Sequence, residues 1–415
     1  MRKSTCLKNN KKPVTLVLVG IGGMGSVYLQ TLLENRDRGL FKVQGTVDPF
    51  PKRCPQLDEL QTLRIPIYPD LENFFDRHDA ELAIVSSPIQ FHNSQTCLAL
   101  QKASDVLCEK PLAATIQEDR AIIEARDRAK KWVAVGYQWS FSKAIQALKK
   151  DILKGLFGKP KRLKCLYLWP RDEAYYRRND WAGKQQDGEG RWILDSPANN
   201  AMAHDLHNML YVMGRTMETS AGPARVEAEL YRAHDIQNFD TAAARCLMDT
   251  GVEILFYVSH VSEKDKGPVL SYEFEKATVF VEGRNSDIQA RLGDGSAKNY
   301  GSPDAEPMNK LWTSLESVKS RKPPVCGPEA GQSQTLCLNG MQDSMPDIVN
   351  FPRDLIVADG EPGRRRIRVK GLDAVLEQCY ENNSLPSELG IPWSGKGKII
   401  DLTDYRNFPS DKLTL

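Results

Sequence analysis

The 415-residue sequence contains no C-x-x-C pair, no long apolar run, no surplus of one charge, and no internal repeat or low-complexity tract. Each absence excludes a class of protein. Nine cysteines scattered as Cys6, Cys54, Cys97, Cys108, Cys165, Cys246, Cys326, Cys337 and Cys379 form neither a zinc-ligand pattern nor a disulfide framework, so reduced thiols in the cytoplasm and no bound metal are expected. Without an apolar run of about 18 residues there is no candidate membrane-spanning helix. Lys and Arg total 56 against 54 Asp and Glu, which removes any protein-wide field for nucleic acid or anionic lipid. The basic arm "MRKSTCLKNNKK" lacks the apolar segment of a secretory signal and reads as a solvated tail.

What is present is length and alternation. The chain exceeds the roughly 250–300 residues that one core sustains, so two domains are expected. In the first third, "TLVLVG", "FKVQGTVD", "ELAIVSS", "DVLCEKP" and "WVAVGY" read as strands. The helical stretches between them are "GSVYLQTLLEN", "LENFFDRH", "NSQTCLALQKA" and "TIQEDRAIIEARDRAKK". Such alternation predicts a doubly wound parallel sheet, with ligands at the carboxyl ends of the strands near Gly20, Asp48, Ser87 and Glu109.

Between the first strand and helix stand Gly20, Gly22 and Gly25, spaced G-x-G-x-x-G with Gly23 and Met24 inside the loop. The first glycine permits a tight turn, the second lets a pyrophosphate approach the backbone, and the third lets helix and strand pack closely. Asp48, closing the second strand, is placed to accept the ribose hydroxyls of NAD, although an Asp-Pro turn is an alternative reading. Arg53 leaves room for NADP.

Farther on, "IVSSPIQFHNSQTCLALQKASDVLCEKPLA" sets a "P...H" loop and the tripeptide Glu109-Lys110-Pro111 behind this unit, and "GYQWSFSKAIQALKKDILKGLFGKPKRL" leads to a histidine-bearing helix ending at Gly214. In these motifs the chain resembles the glucose-fructose oxidoreductase, inositol dehydrogenase and MocA family across most of residues 14–345. The resemblance implies a Rossmann domain followed by a domain with a large, mostly antiparallel open sheet flanked by helices. It also implies a homodimer or homotetramer formed through that sheet. The β-rich segments "PKRLKCLYLW", "ARVEAELYRAH", "TAAARCLMDT", "VEILFYVSHV", "VLSYEFEKATVFVEG" and "DIQARLG" agree with an antiparallel sheet. The expected division is a basic arm over 1–12, the dinucleotide-binding domain over 13–137, a substrate and oligomerisation domain over 138–350, and an extension over 351–415 that packs on both.

Lys110 at a strand end beside a nicotinamide pocket offers a cation to an oxygen that gains charge as hydride leaves its carbon. In "PANNAMAHDLHNMLYVMG", helical spacing puts Asn200, His204, His207 and Tyr211 on one polar stripe opposite Met202, Leu206, Met209 and Met213. Imidazole there suits acid or base work; buried, hydrogen-bonded histidines are the plain alternative. By resemblance His204 is the catalytic histidine. The family's flanking carboxylates are replaced by Asn200 and His207, which leaves Asp195 and Asp205 as candidate partners.

Loop pattern and resemblance together give a site. Cofactor contacts are expected from Gly20, Gly22, Gly23, Met24, Gly25, Asp48, Ser87, Pro88, His92, Glu109, Lys110 and Gln138, and substrate contacts from Tyr137, Trp139, Trp181, Asn200, His204 and His207. Aromatic faces beside hydrogen-bonding groups suit a sugar ring. The function expected is NAD(P)-dependent hydride transfer at a hydroxyl-bearing carbon of a sugar, glycoside or cyclitol. Two alternatives stay open, a lyase using transient hydride transfer and a non-catalytic nucleotide-binding scaffold. The basic run "GRRRIRVKG" in the extension reads as a charged edge strand.

Overall fold

A computed structural model describes residues 12–410; all but the last residue of the basic arm lies outside them. The N-terminal domain alternates β1 (Val14–Val19), α1 (Met24–Glu34), β2 (Phe41–Val47), α2 (Leu57–Thr62), β3 (Ile67–Tyr68), α3 (Leu71–Phe75), β4 (Leu82–Val85), α4 (His92–Gln101), β5 (Asp105–Cys108), α5 (Ile116–Ala129) and β6 (Val133–Val135). The six strands are parallel in the order β3-β2-β1-β4-β5-β6, the doubly wound order whose reversal beside β1 makes a ligand crevice. Every residue of β4 is buried because helices cover both faces. Strand β3 and helix α2 were not predicted; each is short, and without its neighbours neither carries a full period of apolar residues.

The second domain holds α6 (Lys143–Leu153), β7 (Pro160–Leu168), α7 (Glu173–Arg177), α8 (Ala203–Val212), β8 (Pro223–Arg232), β9 (Thr241–Met248), β10 (Glu253–Ser259), β11 (Lys266–Phe274), β12 (Ala277–Glu282), β13 (Ile288–Leu292), β14 (Ala297–Gly301), α9 (Asn309–Ser320) and α10 (Pro328–Ser344). Its sheet runs β14-β13-β12-β11-β7-β10-β9-β8 and is antiparallel except where β7 pairs with β10 and at the short edge strand described below. Helix α9 reaches from the second domain to the first. It packs on β1 and β5 of the first domain and sends Lys310 into its interior. Helix α10 lies between α5 and β8 and ties the two sheets together.

The extension adds β15 (Val349–Asn350), β16 (Ile356–Asp359), β17 (Arg366–Val369), α11 (Leu372–Asn382) and β18 (Ile400–Asp401). It closes the outer face of the large sheet. Leu166 and Leu168 of β7, Tyr231 of β8 and Leu255 and Tyr257 of β10 share one apolar cluster with Ile367, Val369, Leu372, Leu376 and Leu385. Leu372, Leu376 and Leu385 are fully buried, each contributing about 1.5–3 kcal/mol. Ion pairs Arg245–Glu388 and Lys266–Glu377, both at 2.6 Å, fasten the rim. Over β7 and β10 the face of the sheet is covered by the chain's own extension. The basic run forms β17, a charged strand of a two-stranded sheet with β16, and its Ile367 and Val369 are driven into the cluster because strand alternation points them inward.

Candidate active site

The glycine loop joins β1 to α1 in a shape only these residues allow. Gly20 has φ +81°, and a Cβ on Gly25 would stand 2.0 Å from the Gly20 carbonyl oxygen. At Gly22 a Cβ would meet no atom within 4 Å, so the loop is open outward at that point. Gly23 starts α1 with φ +51°, and no side chain caps the first turn, which leaves backbone donors at the positive end of the helix dipole. Asp48 is bound to the loop directly: Oδ2 accepts from Ile21 N at 3.0 Å and Oδ1 from Phe50 N at 2.7 Å. An open cradle, uncapped amides and a fixed carboxylate at the second strand end suit the pyrophosphate and ribose of a dinucleotide.

At the end of β5 the tripeptide divides its work. Glu109 is buried and accepts from Tyr28 Oη at 2.7 Å and from Lys310 Nζ. Burial alone raises its pKa, but the charge and hydrogen bond of Lys310, with help from Tyr28 and Lys110, overcome this and hold the carboxyl below its ordinary value. Glu109 was expected to contact cofactor; its carboxylate is instead consumed inside the protein, where it anchors β5 to α1 and α9. Lys110, next along a cis Lys110–Pro111 peptide, points to the other domain. Its Nζ donates to Asn200 O at 2.7 Å and to Asn200 Oδ1 at 3.0 Å. Burial pulls the ammonium down to about 8, opposed by Glu109 and Asp195 and assisted by Lys310 and Arg178.

Asn200 was expected on the helix, yet it lies in the turn before it. The N–H groups of Asn199 and Asn200 both donate to the Ser196 carbonyl, so the chain enters α8 only at Ala203. Asn200 Nδ2 donates to Asp195 Oδ1 at 2.9 Å, and Asp195 Oδ2 accepts from Gly183 N at 2.6 Å. One of the two candidate carboxylates thus reaches Lys110 through an amide. Asp205 does not join it; buried beside Asp304, it is pushed up to about 8.

His204 stands at the first turn of α8, half-buried, with Nδ1 enclosed and without a hydrogen-bond partner. Burial, then the charges of Lys110, Lys310 and His207, hold its pKa well below the ordinary 6.5, so the ring is neutral. Tyr137 meets it edge-on at 5.9 Å and stacks on His207 at 3.7 Å. Tyr137 and His207 were expected at the substrate. Both are fully buried, with Tyr137 Oη donating to Gln334 Oε1 at 2.9 Å and His207 Nε2 placed 3.0 Å from Ser140 Oγ, so they form the wall behind His204. Trp139 is also nearly buried, its indole N–H donating to Asp304 Oδ1 at 2.7 Å, and Gln138 Nε2 reaches the same oxygen at 3.4 Å. The buried ring of His92 lies between Pro111 O at 2.8 Å and Ser87 O at 2.9 Å and holds the ends of β4 and β5 together. Ser87 and Pro88, in the loop itself, are partly exposed, as is Trp181 in the loop before α8.

Sequence reasoning missed Lys310 and Tyr28, since neither stands in a motif. The loop "LWPRDEAYYRRNDWAGKQQDGEGRW" does read as a source of aromatics and charges close to the histidine helix, but nothing in it singles out Arg171 or Arg178.

Residues 14–137 match the model of a family described as an oxidoreductase family with an NAD-binding Rossmann fold. Among curated proteins, 1-carboxy-3-chloro-3,4-dihydroxycyclo hexa-1,5-diene dehydrogenase of Comamonas testosteroni is 21% identical over 84% of this chain and all of its own length. Inositol 2-dehydrogenase of Salmonella typhimurium is 29% identical over 34% of this chain, a match spanning 42% of that enzyme. Among solved structures, the WlbA dehydrogenase of Bordetella pertussis in complex with NADH and UDP-GlcNAcA superposes with a TM-score of 0.66 at 18% identity, covering 81% of this chain and 97% of that one. A levoglucosan dehydrogenase in complex with NADH gives a TM-score of 0.66 at 13% identity over 79% and 96% of the two chains. The last two likenesses concern the fold.

Proposed function

We propose that this chain, a member of the Gfo/Idh/MocA oxidoreductase family with NAD as its cofactor, oxidises a hydroxyl-bearing carbon of a sugar, glycoside or cyclitol. One observation supports the reading: Lys110, from the carboxyl edge of the Rossmann sheet, donates to Asn200 in the turn leading into α8, whose first turn carries a neutral His204. This contact supports reading two residues 94 positions apart in the chain as parts of one site, a cation and a base.

Gly22, Gly23, Met24 and Asp48 would hold the dinucleotide, which when bound supplies the hydride acceptor. The remaining work belongs to side chains. His204, half-exposed at the first turn of α8 and neutral, takes the hydroxyl proton. The Lys110 ammonium, aimed by its two bonds to Asn200, holds the oxygen as it becomes a carbonyl. Asn200 aims Lys110 without neutralising it, because Asp195 is kept one amide away. The names of the curated relatives, dehydrogenases of inositol and of a dihydroxylated carbocycle, support a polyol ring as substrate. The test is a panel of hexoses, glycosides, uronates and cyclitols with NAD and with NADP, read by nicotinamide absorbance. Reduction by at least one ring polyol is expected; silence across the panel with cofactor bound overturns the reading.

A further inference from the structure

Two arginines flanking α7, Arg171 before it and Arg178 at its carboxyl end, stand against aromatic rings and pair with no carboxylate among the described residues. Along β7, Cys165 and Tyr167 join the main core while Leu166 and Leu168 face the extension. The alternation carries Trp169 and Arg171 on toward the side of Tyr167, and backbone pairing continues there, with Trp169 N donating to Ser259 O at 2.8 Å and Arg171 N to His260 O at 2.9 Å. Tyr167 and Trp169 stack at 5.3 Å, and the Arg171 guanidinium lies 3.6 Å over the Trp169 ring and 4.6 Å from the centre of Tyr175. Arg178 lies 3.7 Å from the same tyrosine ring, and it donates to the Tyr175 carbonyl oxygen.

Helix α7 sorts these groups. Glu173, Tyr176 and Arg177 line a cleft against the extension, and Tyr175 and Arg178, three apart, share a different side. Arg178 also lies 5.3 Å from the centre of the Trp181 ring, and Gly183, two residues beyond that tryptophan, donates to Asp195, the carboxylate joined through Asn200 to Lys110.

Neither guanidinium forms an ion pair among the described residues, and Arg171 Nε is buried with no hydrogen bond. The neighbouring carboxylates are taken. Glu173 holds Arg365 at 2.6 Å and Gly363 N at 2.8 Å, Asp172 caps Tyr175 N at 2.9 Å, and Asp195 is occupied by Gly183 and Asn200. Arg171, half-buried, carries a desolvation cost that a bound anion offsets, and Arg178 stands exposed beside it on the same tyrosine ring.

We propose that Arg171 and Arg178 form an oxyanion subsite, so that the polyol this protein takes carries a carboxylate or phosphate group. The inference rests on the oxidoreductase reading and narrows its substrate class to acidic sugars or cyclitols. Trp169 and Tyr175 flank the anion with aromatic faces, and guanidinium forks bind its oxygens in pairs.

Calorimetric titration of the NADH-loaded protein with D-glucuronate, glucose 6-phosphate and D-glucose tests this, the first two distinguishing carboxylate from phosphate. At least one anion is expected to bind tenfold or more tightly than glucose. Arg171→Met and Arg178→Met are each expected to lower that affinity about 10- to 100-fold, the range of a lost charge-assisted hydrogen bond, with NADH affinity unchanged. Equal affinity for acid and neutral sugar, no binding of either anion, or anion binding indifferent to both substitutions overturns the subsite. Oxidation of neutral polyols as readily as acids also overturns it and leaves the oxidoreductase reading standing. Arginine-dependent anion binding without NAD reduction by any polyol does the reverse.

Discussion

Lys110 donates twice to Asn200, at 2.7 Å to its backbone oxygen and at 3.0 Å to its side-chain oxygen, while Asn200 in turn donates to Asp195 at 2.9 Å. An amide thus separates a half-buried ammonium, at about 8, from a carboxylate. Asn200→Asp places a negative charge directly on Nζ, which favours the protonated amine and raises its pKa. With Lys110 acting as a cation, wild-type turnover is expected to fall as pH rises through about 8, and in Asn200→Asp this limb moves to higher pH. A pH–rate profile checks both, and a limb that stays in place removes Lys110 from the alkaline transition.

Lys110→Met keeps most of the side-chain volume and deletes the charge. Turnover is expected to drop about 10²–10³-fold, the scale for a lost oxyanion donor, while NADH affinity stays within about twofold. Steady-state rates and fluorescence titration of NADH separate the two effects.

The glycines of the loop are expected to fail differently. Gly22→Ala adds a methyl group that meets nothing in the protein, so thermal stability is unchanged while NAD affinity falls about tenfold or more, a loss of 1.4 kcal/mol. Gly25→Ala puts a methyl group 2.0 Å from the Gly20 oxygen and is expected to cost at least about 1–3 kcal/mol of stability as α1 is forced off β1. Denaturant melts and NAD titration of both variants give the contrast.

The buried pair of Glu109 and Lys310 makes stability pH-dependent. The folded-state pKa of Glu109 lies below the 4.5 of an unperturbed carboxyl, so its contribution is complete above 4.5 and is lost as pH falls below it. Lys310→Met leaves that carboxylate buried and uncompensated, at a cost of about 3–5 kcal/mol near neutrality. Its pKa then rises above 4.5, and the gap between variant and wild type narrows on acidification. Melting temperatures across pH measure this; a gap that is constant with pH contradicts it.

The extension is expected to act as the lid of the large sheet. Leu376→Asp puts a charge into the cluster with Leu166, Leu168 and Leu255, loosening α11 and exposing an apolar face. Light scattering is expected to show concentration-dependent self-association absent from the wild type, alongside a lower melting temperature. An unchanged mass and melt show that the cluster is dispensable.

Local pattern made the first domain and half of the site legible. Central strands buried on both faces read as unbroken apolar runs, the three glycines read as a tight turn open to a ligand, and Glu-Lys-Pro stood at a strand end. Reading His207 and Tyr137 as substrate contacts went astray for a physical reason. Helical spacing reports which side chains share a face and not what covers that face, and here the covering comes from Ser140, Cys326 and Gln334.

By itself the sequence determined what neighbours in the chain can enforce: the alternation of strands and helices, the open glycine turn, and the polar stripe of α8. Tertiary structure alone decided the partners, because the cost of burying a charge is met by whichever opposite charge the fold brings near, however far along the chain. Glu109 is satisfied by Lys310, 201 residues later, and β7 is covered by a helix from the last fifty residues. No local signal encodes such pairings, since each partner alone looks like an ordinary surface residue.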